Sequence, residues 1–351
     1  MPTLYEKIYG CLAASRVASA MGAAVEGWSP ERIKETYGYV DRLLPYLHYG
    51  HRGVTWQRMP GTTEDGIERQ KLMCRAIIAK QDRITAQDLY NVQVEVLDLS
   101  KMWYMTEPDD QRIMGFMKAG VPAVEVGRLS NWHGLNAVAR ASHPIGLINA
   151  CDPDGAVRDV ADIGRLYFVP TDIALVWAGV FDAAIALALR PDATVDSVIE
   201  GALRYATDPM RREINRGLEF AKIADYEAMR AEFYKIYNGG GIPYAASTAS
   251  ETVTKALAVF VHAKGDAKQA ILEGVNFGRD TDCLAAMAGG LAGALSGIGA
   301  VPAEWVKQVD EATAANPYTN TVCTIKEHAD GIYQALQARA RKMRELADLL
   351  S

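Results

Sequence analysis

Apolar and small residues recur along this chain mostly at helical spacing. Residues 3–25 place Gly10, Ala14, Ala18 and Gly22 on one face, four residues apart, which predicts a helix with a narrow, close-packing stripe. Pro30, heading Pro-Glu-Arg-Ile-Lys-Glu-Thr-Tyr, predicts a short helix that Gly38 ends. Residues 45–62 carry Gly50, Gly53, Pro60 and Gly61 and read as loop. From about Thr63 to Lys80, Ile67, Met73, Cys74 and Ile77 form a stripe suited to burial. The same periodicity predicts helices over 86–100, 108–119, 172–190, 194–206, 211–236, 248–264, 266–275, 282–298 and 326–349. Asn238-Gly-Gly-Gly-Ile-Pro reads as a turn. Alternating β patterns are scarce, and neither a repeat nor a linker divides the chain. The pattern therefore predicts an all-α fold in a single domain, 1–351.

Composition sharpens this picture at one point. About 50 Ala and 30 Gly among 351 residues favour helices whose backbones approach closely. A net charge of −6 excludes a general nucleic-acid binder, and the basic tail around Arg339–Arg344 reads as a solvated helix face. The five cysteines, Cys11, Cys74, Cys151, Cys283 and Cys323, are odd in number and scattered, as in a reducing compartment. The N-terminal residues lack a signal-peptide pattern, so a cytoplasmic location is expected, with no membrane and no nucleic-acid partner. Cys283–Ala303 is uncharged and long enough to span a bilayer, but its Ala/Gly content and Pro302 point to a buried helix.

Chemistry concentrates where helices start. In Gly278-Arg-Asp-Thr-Asp282, residues two apart on a helix would diverge by about 200°, so Asp280 and Asp282 converge only in a turn or at a helix start. Paired hard carboxylates in that setting suit Mg²⁺, Mn²⁺ or Ca²⁺. The alternative is that one of them merely caps the Ala/Gly helix that follows. Thr62-Thr-Glu-Asp-Gly66 has the same design, with capping by Thr62 as its alternative. Glu26 follows the first helix and precedes Gly27-Trp28. The six histidines offer no zinc spacing, and there is no nucleophile elbow, Walker loop or dinucleotide fingerprint.

Taken in order, Gly22-Ala-Ala-Val-Glu26-Gly, Pro60-Gly-Thr-Thr-Glu-Asp65 and Gly278-Arg-Asp-Thr-Asp-Cys-Leu-Ala-Ala-Met-Ala-Gly-Gly-Leu-Ala-Gly-Ala294 resemble the ADP-ribosylglycohydrolase family. Arg140-Ala-Ser-His-Pro-Ile-Gly-Leu147 is similar to its middle motif, and Ala249–Phe260 to the helix before its last metal motif. The resemblance covers nearly the whole chain. It implies a compact orthogonal helical bundle and a metal-dependent hydrolase with two Mg²⁺ ions in a cleft, Mn²⁺ being an alternative. Thr63, Glu64, Asp65, Asp280, Asp282 and Cys283 fall on the metal motifs, and Glu26 on the glutamate near the substrate ribose. Glu26, Asp65 and Asp280 are the implied catalytic carboxylates. Gly134, Asn136, Ser142, His143 and Gly146, with His51 and Trp56 from the loop before the metal motif, are the candidate substrate contacts.

The chain also departs from the family pattern. Ser19 replaces an Asp, Glu64 is a methylene longer than the usual Asp, and the thiol of Cys283 replaces a Thr hydroxyl, a poor exchange for Mg²⁺ that puts the second ion in doubt. In Ser130-Asn-Trp-His-Gly-Leu-Asn136, bulk stands where backbone amides would approach a diphosphate. The expectation is cleavage at C1 of an ADP-ribosyl group, free or on a protein. An N-glycosidase of a nucleoside or other ribosyl metabolite is the first alternative. A catalytically silent member, like the lens crystallins of that family, is the second.

Overall fold

The computed structural model describes residues 1–238 and 247–350, so the Gly239–Gly241 turn lies outside the described residues. Its first helix, α1 (Leu4–Gly22), starts at a reciprocal cap: Thr3 accepts from the Glu6 amide while the Glu6 carboxylate accepts from the Thr3 amide. Ser29 and Pro30 start α2 (Pro30–Tyr37). A two-residue hairpin, β1 (Tyr46–Leu47) with β2 (Gln57–Arg58), interrupts the expected loop before α3 (Asp65–Lys80). There follow α4 (Ala86–Val96), α5 (Leu99–Met105), α6 (Pro108–Lys118), α7 (Ala123–Val126), α8 (His143–Ile148), α9 (Pro153–Ile163) and α10 (Ile173–Ala188). The remainder comprises α11 (Val195–Ala202), α12 (Asp208–Phe220), α13 (Tyr226–Ile236), α14 (Ala249–His262), α15 (Ala267–Val275), α16 (Thr281–Ser296), α17 (Ala303–Ala315) and α18 (Ile325–Leu350). The protein is all-α, with one contiguous buried apolar cluster drawn from nearly every helix.

Two expected helices are each broken in two by an aspartate. Asp98 accepts from the Ser100 amide and separates α4 from α5. Asp225 accepts from the Ala228 amide and separates α12 from α13. A capping side chain competes with continued helix, and apolar periodicity runs across it unaltered. The short α7 and α8, and α9 and α17, were not anticipated; α9 does carry a recognisable start, Asp152 as cap with Pro153 behind it.

At the centre, α1 lies directly on α16. A Cβ built on Gly10 would stand 2.5 Å from the Gly293 carbonyl oxygen, one on Gly293 2.2 Å from that of Gly10, and one on Gly22 2.6 Å from that of Thr281. The two backbones touch, and only hydrogen fits between them. The Leu4–Val25 stretch is apolar and long enough to cross a membrane by composition, but 89% of its apolar window is buried inside the protein.

This contact aligns the chain ends that carry the chemistry. The Thr281 hydroxyl donates to the Gly22 carbonyl at 2.8 Å, and residues 27–28 and 279 exchange backbone hydrogen bonds of 2.7 and 2.8 Å. The next helix, α3, is tied to α1 by buried polar contacts. Arg16 Nε donates to Gln70 at 2.9 Å, and Gln70 donates to Ser15 at 3.0 Å. The prediction is that Gly293→Ala costs about 3 kcal/mol or more in denaturant unfolding, because neither backbone can yield. Gly115→Ala, on α6 with open space around it, should instead be neutral or stabilise by about 0.5–1 kcal/mol.

Candidate functional site

Glu64 and Asp280 occupy the cap positions of α3 and α16, yet neither side chain makes a capping hydrogen bond. Thr62 does not cap either; its hydroxyl donates to the Met59 carbonyl at 2.8 Å. The capping alternative fails, and these carboxylates are free to point elsewhere. They point into one cleft. Glu26, Glu64, Asp65, Glu107 and Asp280 line it as carboxylates, Arg140 and His48 as its basic groups, and Tyr49, Trp132 and Leu135 as its apolar wall.

At the α3 end the carboxylates are already neutralised. Buried Arg58 and the Tyr46 phenol both bond one oxygen of Glu64, and Arg58 is held in turn by the Tyr104 carbonyl at 2.7 Å. Burial alone would raise the Glu64 carboxyl, but Arg58, with help from His48, holds it below its usual range. Asp65 bonds Arg140, lies 3.4 Å from Arg69, and accepts from the Gly66 amide at 2.8 Å. Burial is again outweighed there, by Arg140 and then Arg69, and the carboxyl stays low.

At the α16 end the opposite holds. One ligand atom each from Asp280, Asp282 and Cys283 lies within 4.8 Å of the others. Asn136 Nδ2 donates to Asp280 Oδ2 at 2.7 Å. The other oxygens, Asp280 Oδ1 and Asp282 Oδ1, are buried with no hydrogen-bond partner among the described residues. Burial and the neighbouring Asp280 charge push the Asp282 carboxyl well up. Burial and the charges of Asp282 and Asp280 do the same to Glu26, which leaves about 33% of its side chain open to the cleft. His48 joins the two ends, 3.5 Å from Glu26 and 3.7 Å from the free oxygen of Glu64.

Buried carboxylate oxygens that lack partners and repel one another are what a divalent cation relieves. The donor set fits one such ion at Asp280 and Asp282, with Glu26 and the free Glu64 oxygen facing the same space. Cys283 fits it poorly, because burial keeps its thiol protonated and Arg140 Nη1 stands 3.2 Å from the sulfur. On the Asp65 side, Arg140 and Arg69 already supply the positive charge.

The structure brings Glu26, Glu64, Asp65, Asp280, Asp282 and Cys283 together, with Thr63 buried beside them. Asn136 lines the cleft, and Gly134 stands two residues before it. Ser142, His143 and Gly146 lie behind the site in the core. His143 bonds the Ala286 carbonyl at 3.1 Å and packs edge-on against Phe181, and burial lowers it to about 4. His51 is exposed, and Trp56 packs against Tyr318; neither lines the cleft. Sequence reasoning missed Tyr46 and Arg58 as neighbours of Glu64, and Arg140, which it treated only as a motif landmark. It also missed Glu107, and read Trp132 only as bulk in the 130–136 stretch. Glu107 stands before Pro108 like a helix cap, but makes no capping bond.

A sequence model of the ADP-ribosylglycohydrolase family matches residues 1–342. This chain belongs to that family. The family is a hydrolase family whose members act on glycosidic bonds. The chain is 25% identical over 350 residues to the uncharacterized protein YegU of Escherichia coli K12, covering 93% of this chain and 99% of that one. It is 23% identical over 314 residues to an uncharacterized protein of Archaeoglobus fulgidus, covering 86% and 91%. A solved chain of an ADP-ribosylglycohydrolase-related protein complex superposes with a TM-score of 0.65 at 18% identity, over 96% of this chain and all of that one, and so shares the fold.

Glu107 gives the site a measurable signature. Burial, then Asp65 and Asp110, raise it to about 7. A carboxyl raised on folding stabilises the protein below its unfolded pKa, and that contribution is lost as pH rises through the folded one. Glu107→Gln should therefore leave stability unchanged near pH 4 and increase it at pH 8, measured by denaturant midpoints in chelator.

Proposed function

We propose that this family member hydrolyses the bond at C1 of a ribosyl group with the help of one divalent cation, Mg²⁺ or Mn²⁺. The observation that carries the reading is the pair of unpartnered buried oxygens on Asp280 and Asp282, beside Glu26 in an open cleft. A silent structural member would gain nothing from keeping such a pair, since orphaned buried carboxylate oxygens only cost stability. When bound, the cation orients the ribose hydroxyls and the attacking water.

The rest falls to the chain itself. Asn136 fixes the rotamer of Asp280 through its 2.7 Å hydrogen bond. Glu26, open to the cleft beside Asp280 and Asp282, accepts the proton of the attacking water. The remaining carboxylates stabilise positive charge as it develops on the sugar. Glu107, half-buried across the cleft with its raised affinity for a proton, is placed to donate to the leaving group. The substrate is a small ribosyl compound or an ADP-ribosyl group on a protein. Five unpaired cysteines fit the reducing cytoplasm, where we place the protein.

Titration calorimetry with Mn²⁺ should give one site per chain, lost in Asp282→Asn and weakened about 10–100-fold in Asn136→Ala. With ribosyl substrates, Glu26→Gln should lower kcat by about 10²–10⁴ while metal affinity changes far less, read by release of free sugar. No binding at millimolar metal, or wild-type turnover by Glu26→Gln, would remove the reading.

A further inference from the structure

Recognition of a diphosphate needs free backbone amides or unpaired cations aimed at it. Beside the cleft, the backbone amides of residues 130–136 are nearly all engaged within the protein. Asn131 N donates to Asp109 at 3.2 Å, and Gly134 N donates to both oxygens of Asp172 at 3.1 and 3.3 Å. Trp132 N donates to the Ser130 hydroxyl at 3.1 Å. Leu135 N donates to the Trp132 carbonyl at 3.1 Å, and Asn136 N to the Ser247 carbonyl at 2.9 Å. The two carboxylates are held firmly. Asp172 also caps α10 through Ala174 N at 2.9 Å and binds His133 at 2.9 Å, while Arg112 pairs with Asp109 at 2.6 Å. Two carboxylates thus occupy the amides an anionic group would use.

The charges of the cleft agree. Its lining carries five carboxylates against Arg140 and His48, with no lysine among the described residues. Arg140 is already bonded to Asp65, and Arg58 to Glu64. Arg52, which contributes to the field on Glu107, donates to the Thr106 and Trp103 carbonyls at 2.8 and 3.2 Å. Among the described residues the terminal guanidinium nitrogens of Arg140, Arg58 and Arg52 are all engaged, so a diphosphate would face carboxylates instead. A planar, uncharged group would meet Tyr49, Trp132 and Leu135.

From the engaged loop and the anionic lining, we propose that the substrate is a nucleoside without phosphate, cleaved to free base and ribose. The proposal rests on the ribosyl-hydrolase reading above and names its substrate class. Water oxygen forms the new bond to C1 and its proton passes to Glu26. The C1–N bond breaks with its electron pair on the base nitrogen, and that nitrogen takes a proton from Glu107. Asp109 and Asp172 are positioning residues that hold the 130–136 loop closed to phosphate.

The test uses the full chain with saturating Mn²⁺ and compares inosine, adenosine, uridine and cytidine with ADP-ribosyl-arginine and adenosine 5′-monophosphate. The best nucleoside should exceed both phosphate-bearing compounds in kcat/KM by at least about 100-fold. Asp109→Asn and Asp172→Asn should each lower that ratio at least about tenfold; the former keeps the test valid where loss of the α10 cap unfolds the latter. Preference for ADP-ribosyl-arginine overturns the proposal and leaves the hydrolase reading standing. An unchanged ratio in a folded variant overturns the role of the loop. Hydrolysis of none of these compounds overturns both.

Discussion

Everything in this protein depends on the direct contact of two helix backbones. Where Gly10 meets Gly293 and Gly22 meets Thr281, no side chain separates α1 from α16. Such proximity multiplies dispersion contacts and lets polar backbone groups of one helix be met by the other. It also sets distances far along the chain. Glu26 emerges from α1 as Asp280 begins α16, and the crossing hydrogen bonds between residues 27–28 and 279 lock the two against each other. A larger residue at either glycine would move one carboxylate cluster away from the other.

Around that fixed corner, charge is distributed unevenly. Arginines from three separate segments neutralise the carboxylates of the α3 end: Arg58 from the hairpin, Arg69 from α3 itself and Arg140 from the turn before α8. At the α16 end, Asp280 and Asp282 keep oxygens that nothing in the described chain satisfies. Burying unpaired charge is expensive, so the asymmetry divides one acidic cleft into a self-neutralised half and a half whose carboxylate oxygens stay unpaired among the described residues. The same logic governs the 130–136 loop, where Asp109 and Asp172 answer the Asn131 and Gly134 amides.

Motif residues close to helix starts were legible because their spacing restricts them. Asp280 and Asp282 can converge only off the regular helix, and family resemblance supplied Glu26, Glu64 and Asp65. The partners of those residues were not legible. Arg58 and Tyr46 reach Glu64 through a two-residue hairpin that looked like plain loop, and Glu107 had the position of a cap without its bond. His51 and Trp56 looked suited to ligand contact, but a turn of the 3-10 type over residues 50–52 leaves His51 outside while His48 faces inward. His143 and Gly146 sit in a motif and serve packing.

By itself the sequence determined the helical class, the close-packing stripes and which short segments set carboxylates at helix starts. Those properties follow from periodicity and local sterics, which act over a few residues. The tertiary structure alone decided which carboxylates are neutralised and which remain open, and whether loop amides are free. Pairing of that kind depends on distances between residues far apart in sequence. Asp65 and Arg140 are 75 residues apart and Asn136 and Asp280 are 144, and no local pattern encodes such a contact.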